Sequence, residues 1–567
     1  MTTHARPLAE WLAAASDDDL AALLRARGVH PDVAWQDFFD AAEALLDQAS
    51  LAKALPTLTN AEATALVRAC EDEDAGTARD ALTSLALLRP DGTPWPDVIA
   101  AVAGRTPPAQ PAGTAPDPSD DRSAAHAAER AFTTVGVLAD LLLAARERPF
   151  ALLAGGGVSA GEKRQLAEAG IDPAAVDALV TIAGDAGLVV PIDRRLRTTS
   201  PAENWLRAPV SERWIALAKG FRDALPRGVR SSDGGWTPHA DWPTAHPWEQ
   251  GWPERADALL ERARLLGLVA DDGTEPQWAA SLRSGGPVDA SALTAMLPTE
   301  VDRIFLQNDL TAIAPGPLAP ALDVRLRTMA TRESAAQASS YRFRAESIAR
   351  ALVLGETEQS ILDFLGGISL TGLPQPLQYL IAQTSQRHGL VRVSTDAETG
   401  RTRIESADQT LIDAMSVDQS LRALGLSRHV ASLTTRVGRD TVYWALTDAH
   451  YPATIVDKDG TVVTEERNPP ADPAHDHAPD FSALIATLRA HQGPDADAAW
   501  LDRELDAAVR SRAVLRVTVG MPDGSTRDLV LEATGLGGGR LRGRDRTADV
   551  ERTLPVSSIR AATIIAQ

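Results

Sequence analysis

Hydrophobic residues recur at helical spacing through the first hundred residues of the chain. Leu20, Leu23 and Leu24 fall on one face of a predicted helix. Ser16 stands just before them, and a serine hydroxyl in that place can cap the first turn. Because the same spacing continues further along the chain, we predict a helical N-terminal domain over residues 1–103.

Two proline-rich stretches interrupt the hydrophobic pattern. The first reads GRTPPAQPAGTAPDPSDD and holds too few large apolar side chains to build a core. We predict a linker there, over residues 104–121. The second contains Pro469, Pro470 and Pro473 and predicts a linker over residues 466–480.

The pattern after the first linker is typical of a winged helix. Helical spacing over residues 135–146 and a short strand over residues 150–153 precede two further helices. Residues 187–199 then predict a strand, a turn and a second strand. A similar succession of helix, Gly-Leu-Val and hairpin recurs after residues 256–266 and 377–388, which indicates a structural repeat.

The last segment changes its hydrophobic period from that of a helix to that of a strand. Alternation over residues 515–519 and 527–533, around the turn Pro522-Asp523-Gly524, predicts a small β-barrel. A helix before it completes a region over residues 481–567. The predicted fold class is mainly α and multi-domain, with a helical N-terminal domain, tandem winged-helix-like modules over residues 122–300 and a small C-terminal β-barrel.

The middle of the chain resembles a known family. Four separated motifs occur in the order found in the helicase-associated domain at the N-terminus of XPB-type DNA helicases: Phe305–Thr311, Ala314–Leu318, Ser339–Phe343 and Pro374–Leu377. We assign residues 301–465 to this XPB N-terminal-like domain, which in actinobacteria also occurs in stand-alone proteins without a motor. The resemblance implies work in DNA repair or transcription, with DNA and an XPB-like helicase as partners.

The tail of the chain is similar to a second family. Residues 507–566 resemble a WYL-like barrel, although the Trp-Tyr-Leu signature itself is missing. The missing signature counts against the ligand-sensing role that such a barrel implies.

Length, composition and charge narrow the class of protein. A chain of 567 residues, 44% hydrophobic and 23% charged, is expected to fold into several globular domains. Its apolar runs, such as Leu141–Ala145, are too short to span a membrane, and the acidic N-terminal region is unlike a secretory signal. We therefore expect a cytoplasmic protein without a membrane partner.

The net charge of −21 opposes long-range attraction to a polyanion. Nearly all the positive charge is arginine, because the chain has only four lysines. Any contact with DNA therefore has to be local and made by arginines. We predict such contacts at Arg194, Arg195 and Arg197 on the first hairpin, and at Arg342 and Arg344 on either side of Phe343.

Catalytic chemistry finds little support in the sequence. None of the four lysines stands in the Gly-Lys-Ser/Thr unit that a nucleotide-hydrolysing P-loop requires. The single cysteine, Cys70, is followed by four acidic residues that disfavour its thiolate. His475-Asp476-His477 lies in a proline-rich linker, where a metal would have to order the chain unaided. We predict that the protein is no enzyme and has no metal site and no cofactor.

These observations favour a non-catalytic, nucleic-acid-associated adaptor that acts with a DNA helicase in repair or transcription. Two alternatives stay open. One is a protein–protein scaffold without direct DNA contact, which the acidic charge favours. The other is a transcription regulator with a ligand-sensing barrel.

Overall fold

The computed structural model describes residues 5–109, 113–335, 338–429, 431–472, 479–491, 494–521 and 525–565. Helices account for 48% of the chain and strands for 18%, and the strands form four separate sheets among the described residues. The prediction of a mainly α fold is therefore wrong, and the architecture is mixed α/β. Short strands between long helices carry too little periodicity to be counted correctly from sequence.

The described part of the chain before residue 110 folds into seven α-helices: α1 (Ala5–Ala14), α2 (Asp17–Ala26), α3 (Phe38–Leu46), α4 (Gln48–Ala54), α5 (Asn60–Cys70), α6 (Arg79–Ser84) and α7 (Pro96–Val102). Ser16 caps α2, as predicted, because its hydroxyl accepts a hydrogen bond from the Asp19 amide at 3.1 Å. Thr59 and Glu62 form a reciprocal capping box at α5. Phe481 and Trp500, from the far end of the chain, complete this core.

The second region begins with a long helix and a small sheet. Its elements are α8 (Asp121–Glu147), β1 (Phe150–Ala151), α9 (Ala160–Glu168), α10 (Val176–Asp185), β2 (Val189–Ile192) and β3 (Arg195–Thr198). The three strands are antiparallel in the order β1-β3-β2, so the predicted hairpin is present. No described helix, α8 included, is long and apolar enough to cross a bilayer.

Five further helices share one hydrophobic core with these elements: α11 (Ser200–Arg207), α12 (Val210–Asp223), α13 (Trp252–Leu265), α14 (Gln277–Arg283) and α15 (Ser291–Thr294). The second hairpin predicted here, after residues 256–266, is not formed. Glu275 pairs instead with the predicted linker, since its amide donates to the Asp117 carbonyl at 2.8 Å. The prediction of tandem winged-helix-like modules in this region is therefore wrong.

The third region opens on a four-stranded sheet in the order β4-β5-β7-β6. Its elements are β4 (Phe305–Leu306), β5 (Thr311–Ala314), α16 (Pro320–Met329), β6 (Thr331–Ala335), β7 (Ser339–Arg342), α17 (Ala345–Val353), α18 (Glu358–Ile368) and α19 (Gln375–Arg387). The inward faces of the helices bury Leu326, Ile348 and Leu365 against the sheet.

A six-stranded sheet follows, in the order β10-β11-β9-β8-β12-β13, and β12 runs parallel to β8. It contains β8 (Val391–Thr395), β9 (Thr402–Ser406), α20 (Gln409–Val417), β10 (Ser427–His429), β11 (Ser432–Thr435), α21 (Arg439–Asp448), β12 (Ala453–Val456) and β13 (Val462–Val463). The third predicted hairpin, β8–β9, is thus the centre of a larger sheet and not a wing.

The chain ends in a five-stranded sheet in the order β17-β16-β15-β14-β18. Its elements are α22 (Ser482–Ala490), α23 (Pro494–Ser511), β14 (Val514–Gly520), β15 (Thr526–Gly537), β16 (Arg540–Asp545), β17 (Val550–Pro555) and β18 (Ile559–Ile565). Over the described strands the outer two, β17 and β18, do not pair with each other, so the predicted barrel is an open sheet. The predicted turn at residues 522–524 lies outside the described residues.

Candidate nucleic-acid interface

The hairpin β2–β3 presents two of the predicted arginines at its tip. Ile192 and Arg195 are paired across the hairpin, which leaves a two-residue turn of Asp193 and Arg194. Both turn residues have positive φ, 48° and 58°, as in a type I′ turn, where glycine, asparagine and aspartate are preferred. Arg194 and Arg195 are exposed, and their guanidinium groups make no ion pair within the described residues.

Arg197 faces a different environment on the same strand. Its Nη2 donates to the Pro469 carbonyl at 2.6 Å, so this arginine holds the predicted second linker. The Ala471 amide donates to the Thr198 carbonyl at 2.9 Å beside it. Asn468 adds a bond from its Nδ2 to the Glu147 carbonyl at 2.8 Å. Residues 468–471 therefore lie along the hairpin, and Arg197 is less available to an outside ligand than its neighbours.

The two arginines around Phe343 share one acidic neighbour. The Nε of Arg342 donates to Glu333 Oε1 at 2.5 Å, and this bond lowers the pKa of the Glu333 carboxyl. The guanidinium of Arg344 lies 4.0 Å from the same oxygen, and its side chain is 62% exposed. Arg342 is therefore largely neutralised within the chain, whereas Arg344 is open to solvent.

One surface that sequence reasoning missed is the outward face of α19. Leu377 and Ile381 are buried on the inner side of this helix. The outer side carries Tyr379, which is 69% exposed, with exposed Gln383 and Gln386 at helical spacing. Glutamine amides and tyrosine rings are groups that contact base edges or stack on bases.

The sequence around α19 is free of negative charge. No aspartate or glutamate occurs between Asp363 and Asp396, although the chain as a whole has 77 acidic residues. Within this acid-free stretch lie Arg387 at the end of α19 and Arg392 on β8, both exposed. That glutamine-rich, acid-free pattern is the signal from which the sequence could have predicted this surface.

The hairpin β8–β9 follows α19 directly in the chain. Arg392 lies opposite Glu405, and Glu405 is paired with Arg403 at 2.7 Å. Two further cationic side chains lie here: Arg401 immediately precedes β9, and Arg403 is on the strand. We call five exposed residues of α19 and β8 the α19 surface: Tyr379, Gln383, Gln386, Arg387 and Arg392.

A cleft of about 1370 Å³ lies beside the α19 surface, between the second and third regions. Its walls are mixed in charge, and among the described residues that line it every arginine except Arg387 is ion-paired. Arg327 donates to Asp140 at 2.6 Å, and Arg467 forms two bonds of 2.8 Å with Asp448. The cleft is therefore a contact between two parts of the protein and not a cationic channel.

Three kinds of side chain are candidate catalytic or metal-binding groups: a lysine near a glycine-rich run, the single cysteine and clustered histidines or acids. Lys163, the lysine nearest to a glycine-rich run, is paired with Asp177 at 2.5 Å. Burial raises the pKa of the Cys70 thiol to about 11. In the part of the chain that the structure describes, no three histidine, cysteine or acidic side chains come together as a metal site. His475-Asp476-His477 lies outside the described residues.

The α19 surface lies within a segment of the chain that matches a known protein family. No curated protein matches the chain. Residues 304–430 match the family described as helicase conserved C-terminal domain, and this segment runs from β4 to the end of β10. It carries 12 arginines and 13 acidic residues, so it is nearly neutral within an acidic chain. Over these residues the chain is similar to a helicase C-terminal domain, and this similarity points to a helicase-related protein.

Proposed function

We propose that this chain is a non-catalytic adaptor that binds nucleic acid and works beside a DNA helicase of the XPB type, in repair or transcription. The match of residues 304–430 to helicase C-terminal domains supports the helicase-related part of the proposal. The lack of any Gly-Lys-Ser/Thr unit in the sequence supports a role without its own nucleotide-driven motor.

The α19 surface is the observation that carries the proposal. It joins an exposed tyrosine and exposed glutamines to two arginines, inside a stretch from which carboxylates are absent. Since a phosphate backbone is repelled by carboxylates and attracted by guanidinium groups, such a stretch favours nucleic acid, and Glu405, the carboxylate opposite Arg392, is paired with Arg403.

Each group on the surface has a distinct task in this proposal. Arg387 and Arg392 bind phosphates and set the register of the nucleic acid. Gln383 and Gln386 contact base edges, and Tyr379 packs against a base or a thymine methyl group. Arg194, Arg195 and Arg344, the exposed members of the predicted set, supply further phosphate contacts.

A protein–protein scaffold is the second candidate. It is favoured by Arg197 and Arg342, which bind groups of the chain itself and leave only part of the predicted arginine set free. The net charge of −21 also favours a basic protein partner over DNA.

Fluorescence anisotropy with labelled duplex, forked and single-stranded oligonucleotides tests the proposal. We expect binding at 50 mM salt that weakens steeply by 200 mM salt, because bound phosphates release counterions. Absence of binding to all three forms at 50 mM salt would reject the adaptor and leave the scaffold. Parallel incubation with ATP is expected to release no phosphate, with or without DNA.

A further inference from the structure

The C-terminal sheet differs in charge from the rest of the protein. Residues 507–567 contain ten arginines and six acidic residues, whereas the whole chain has a net charge of −21. This segment also has no tyrosine, tryptophan, phenylalanine or histidine. This segment therefore carries a net positive charge and no aromatic side chain, although the protein as a whole is acidic.

One face of the sheet is covered and the other is open. Helix α23 packs Leu501 and Leu505 against Leu515, Leu531 and Leu541. The side chains of β16 alternate across the sheet, so Leu541 points toward α23 and the arginines on either side of it point away. Arg540, Arg542 and Arg544 consequently share the open face and are all exposed.

These three arginines differ in their neighbours. Arg544 lies between Glu532 and Glu551 on the adjacent strands, and its Nε donates to Asp549 at 2.7 Å. Its charge is thus compensated inside the sheet.

The other two arginines have no such compensation. Arg542 lies between Gly535 and Thr553, and Arg540 lies between Gly537 and Pro555. Neither guanidinium has an ion pair or a side-chain hydrogen bond within the described residues. Two adjacent guanidinium groups therefore have no acidic partner among the described residues, and the residues opposite them on the neighbouring strands have small side chains or none.

Two of the glycines beside these arginines leave open space above the sheet. Gly538 and Gly539 have φ of 59° and 70° and form the turn between β15 and β16, which accounts for them. Gly535 and Gly537 lack positive φ, and a Cβ added to either would meet nothing within 4 Å. Gly535 follows a register shift in the β15–β16 pairing, but internal packing requires glycine at neither position, and the bare backbone leaves room for another molecule to approach closely.

We propose that Arg540 and Arg542, with the bare backbone at Gly535 and Gly537, form a second binding surface, for the phosphate backbone of a nucleic acid. Arginines two residues apart on a strand have Cα atoms about 6.8 Å apart, and each guanidinium can make paired bonds to a phosphate. The segment has no aromatic side chain on which bases could stack, so we expect its contacts to be made to phosphates and to show no sequence preference. It is separate from the α19 surface.

The test uses the full chain, a labelled single-stranded 20-mer and the blunt duplex of the same sequence. Arg540→Gln with Arg542→Gln is expected to weaken binding at 50 mM salt about fivefold or more. The slope of log affinity against log salt should fall by about 1.4 for the single strand and 1.8 for the duplex, as for two lost phosphate contacts. Oligo-dT and oligo-dC should respond alike.

A charge-matched control separates the surface from net charge. Arg25→Gln with Arg122→Gln removes two exposed arginines from helix surfaces elsewhere. We expect this control to change affinity less than twofold. An equal loss in the control and the test variant would overturn the proposal.

A second variant tests the glycines. Gly535→Thr with Gly537→Thr adds side chains where there is open space, so the melting temperature should stay within about 2 °C while binding falls about fivefold. Unchanged binding would overturn the proposal, as would competition by poly-glutamate as strong as that by the oligonucleotide. Loss of binding in variants of the α19 surface alone, with the C-terminal variants unchanged, would reject this inference and leave the proposed function standing.

Discussion

Asp140 accepts a hydrogen bond from Nη1 of Arg327 at 2.6 Å, and this bond joins α8 of the second region to α16 of the third. Arg332 donates to the other oxygen of the same carboxylate. One half-buried acid thus holds two arginines of the helicase-like segment against the long helix.

Asp140→Asn should loosen this contact, because it removes the charge that compensates two arginines. We expect the free energy of opening between α8 and α16 to fall by about 2 kcal/mol, measured by hydrogen exchange of the α16 amides. Glu147→Gln is the control, since the Glu147 side chain is 64% exposed and lies 3.5 Å from Arg350. Its effect should stay below about 0.5 kcal/mol. Equal effects of the two substitutions would contradict the role given to Asp140.

Arg194→Gly should separate charge from folding at the β2–β3 turn. Asp followed by Gly is a preferred pair for a type I′ turn, so stability should be unchanged or rise by up to about 1 kcal/mol. The salt slope of duplex binding should fall by about 0.9, as for one lost phosphate contact. A melting curve measures the stability, and an anisotropy titration measures the salt slope. A stable variant with an unaltered slope would remove Arg194 from the interface.

Tyr379→Ala with Gln383→Ala should weaken nucleic-acid binding without affecting the fold. Both side chains are exposed, so the melting temperature should hold, while lost base contacts worth about 1 to 3 kcal/mol lower affinity by roughly 5- to 150-fold. Val417→Ala, at a side chain that is 78% exposed on α20, serves as the control. If the control and the test variant bind equally well, α19 makes no contact.

His246 should make stability depend on pH. Burial lowers the pKa of its ring, which lies against Trp252 with centroids 4.4 Å apart. The unfolded state therefore takes up a proton more readily, so the stabilising contribution is complete above about pH 6.5 and is lost as pH falls through the folded pKa. Melting temperatures of the wild type and His246→Gln between pH 5 and 7.5 should converge at the acidic end. Parallel curves would contradict this account.

Local patterns predicted local structure well. The Ser16 cap and the β2–β3 hairpin depend on residues within a few positions of each other, and both were predicted from sequence. Packing over such short separations is also seen at Trp242 and Trp252, which are both buried, and the Trp252 indole donates to the Trp242 carbonyl at 2.6 Å.

Pairings between distant residues could not be predicted in this way. Glu275 returns to Asp117, and Arg489 reaches Asp17 at 3.0 Å, although no periodicity links such positions. Arg197 was expected to meet DNA, yet it binds Pro469, a partner more than 270 positions away. The α19 surface was missed because its glutamines are uncharged, and only the absence of acids around them indicated it.

A hydrogen-exchange footprint of the full chain, with and without a saturating oligonucleotide at 50 mM salt, tests whether nucleic acid binds at the α19 surface. We predict slower exchange in residues 375–395, which contain α19 and β8, with little change in the N-terminal helices α1 to α7. Saturated binding that leaves residues 375–395 unprotected, or a protein that hydrolyses ATP, would contradict the account of a helicase-related adaptor acting through this surface.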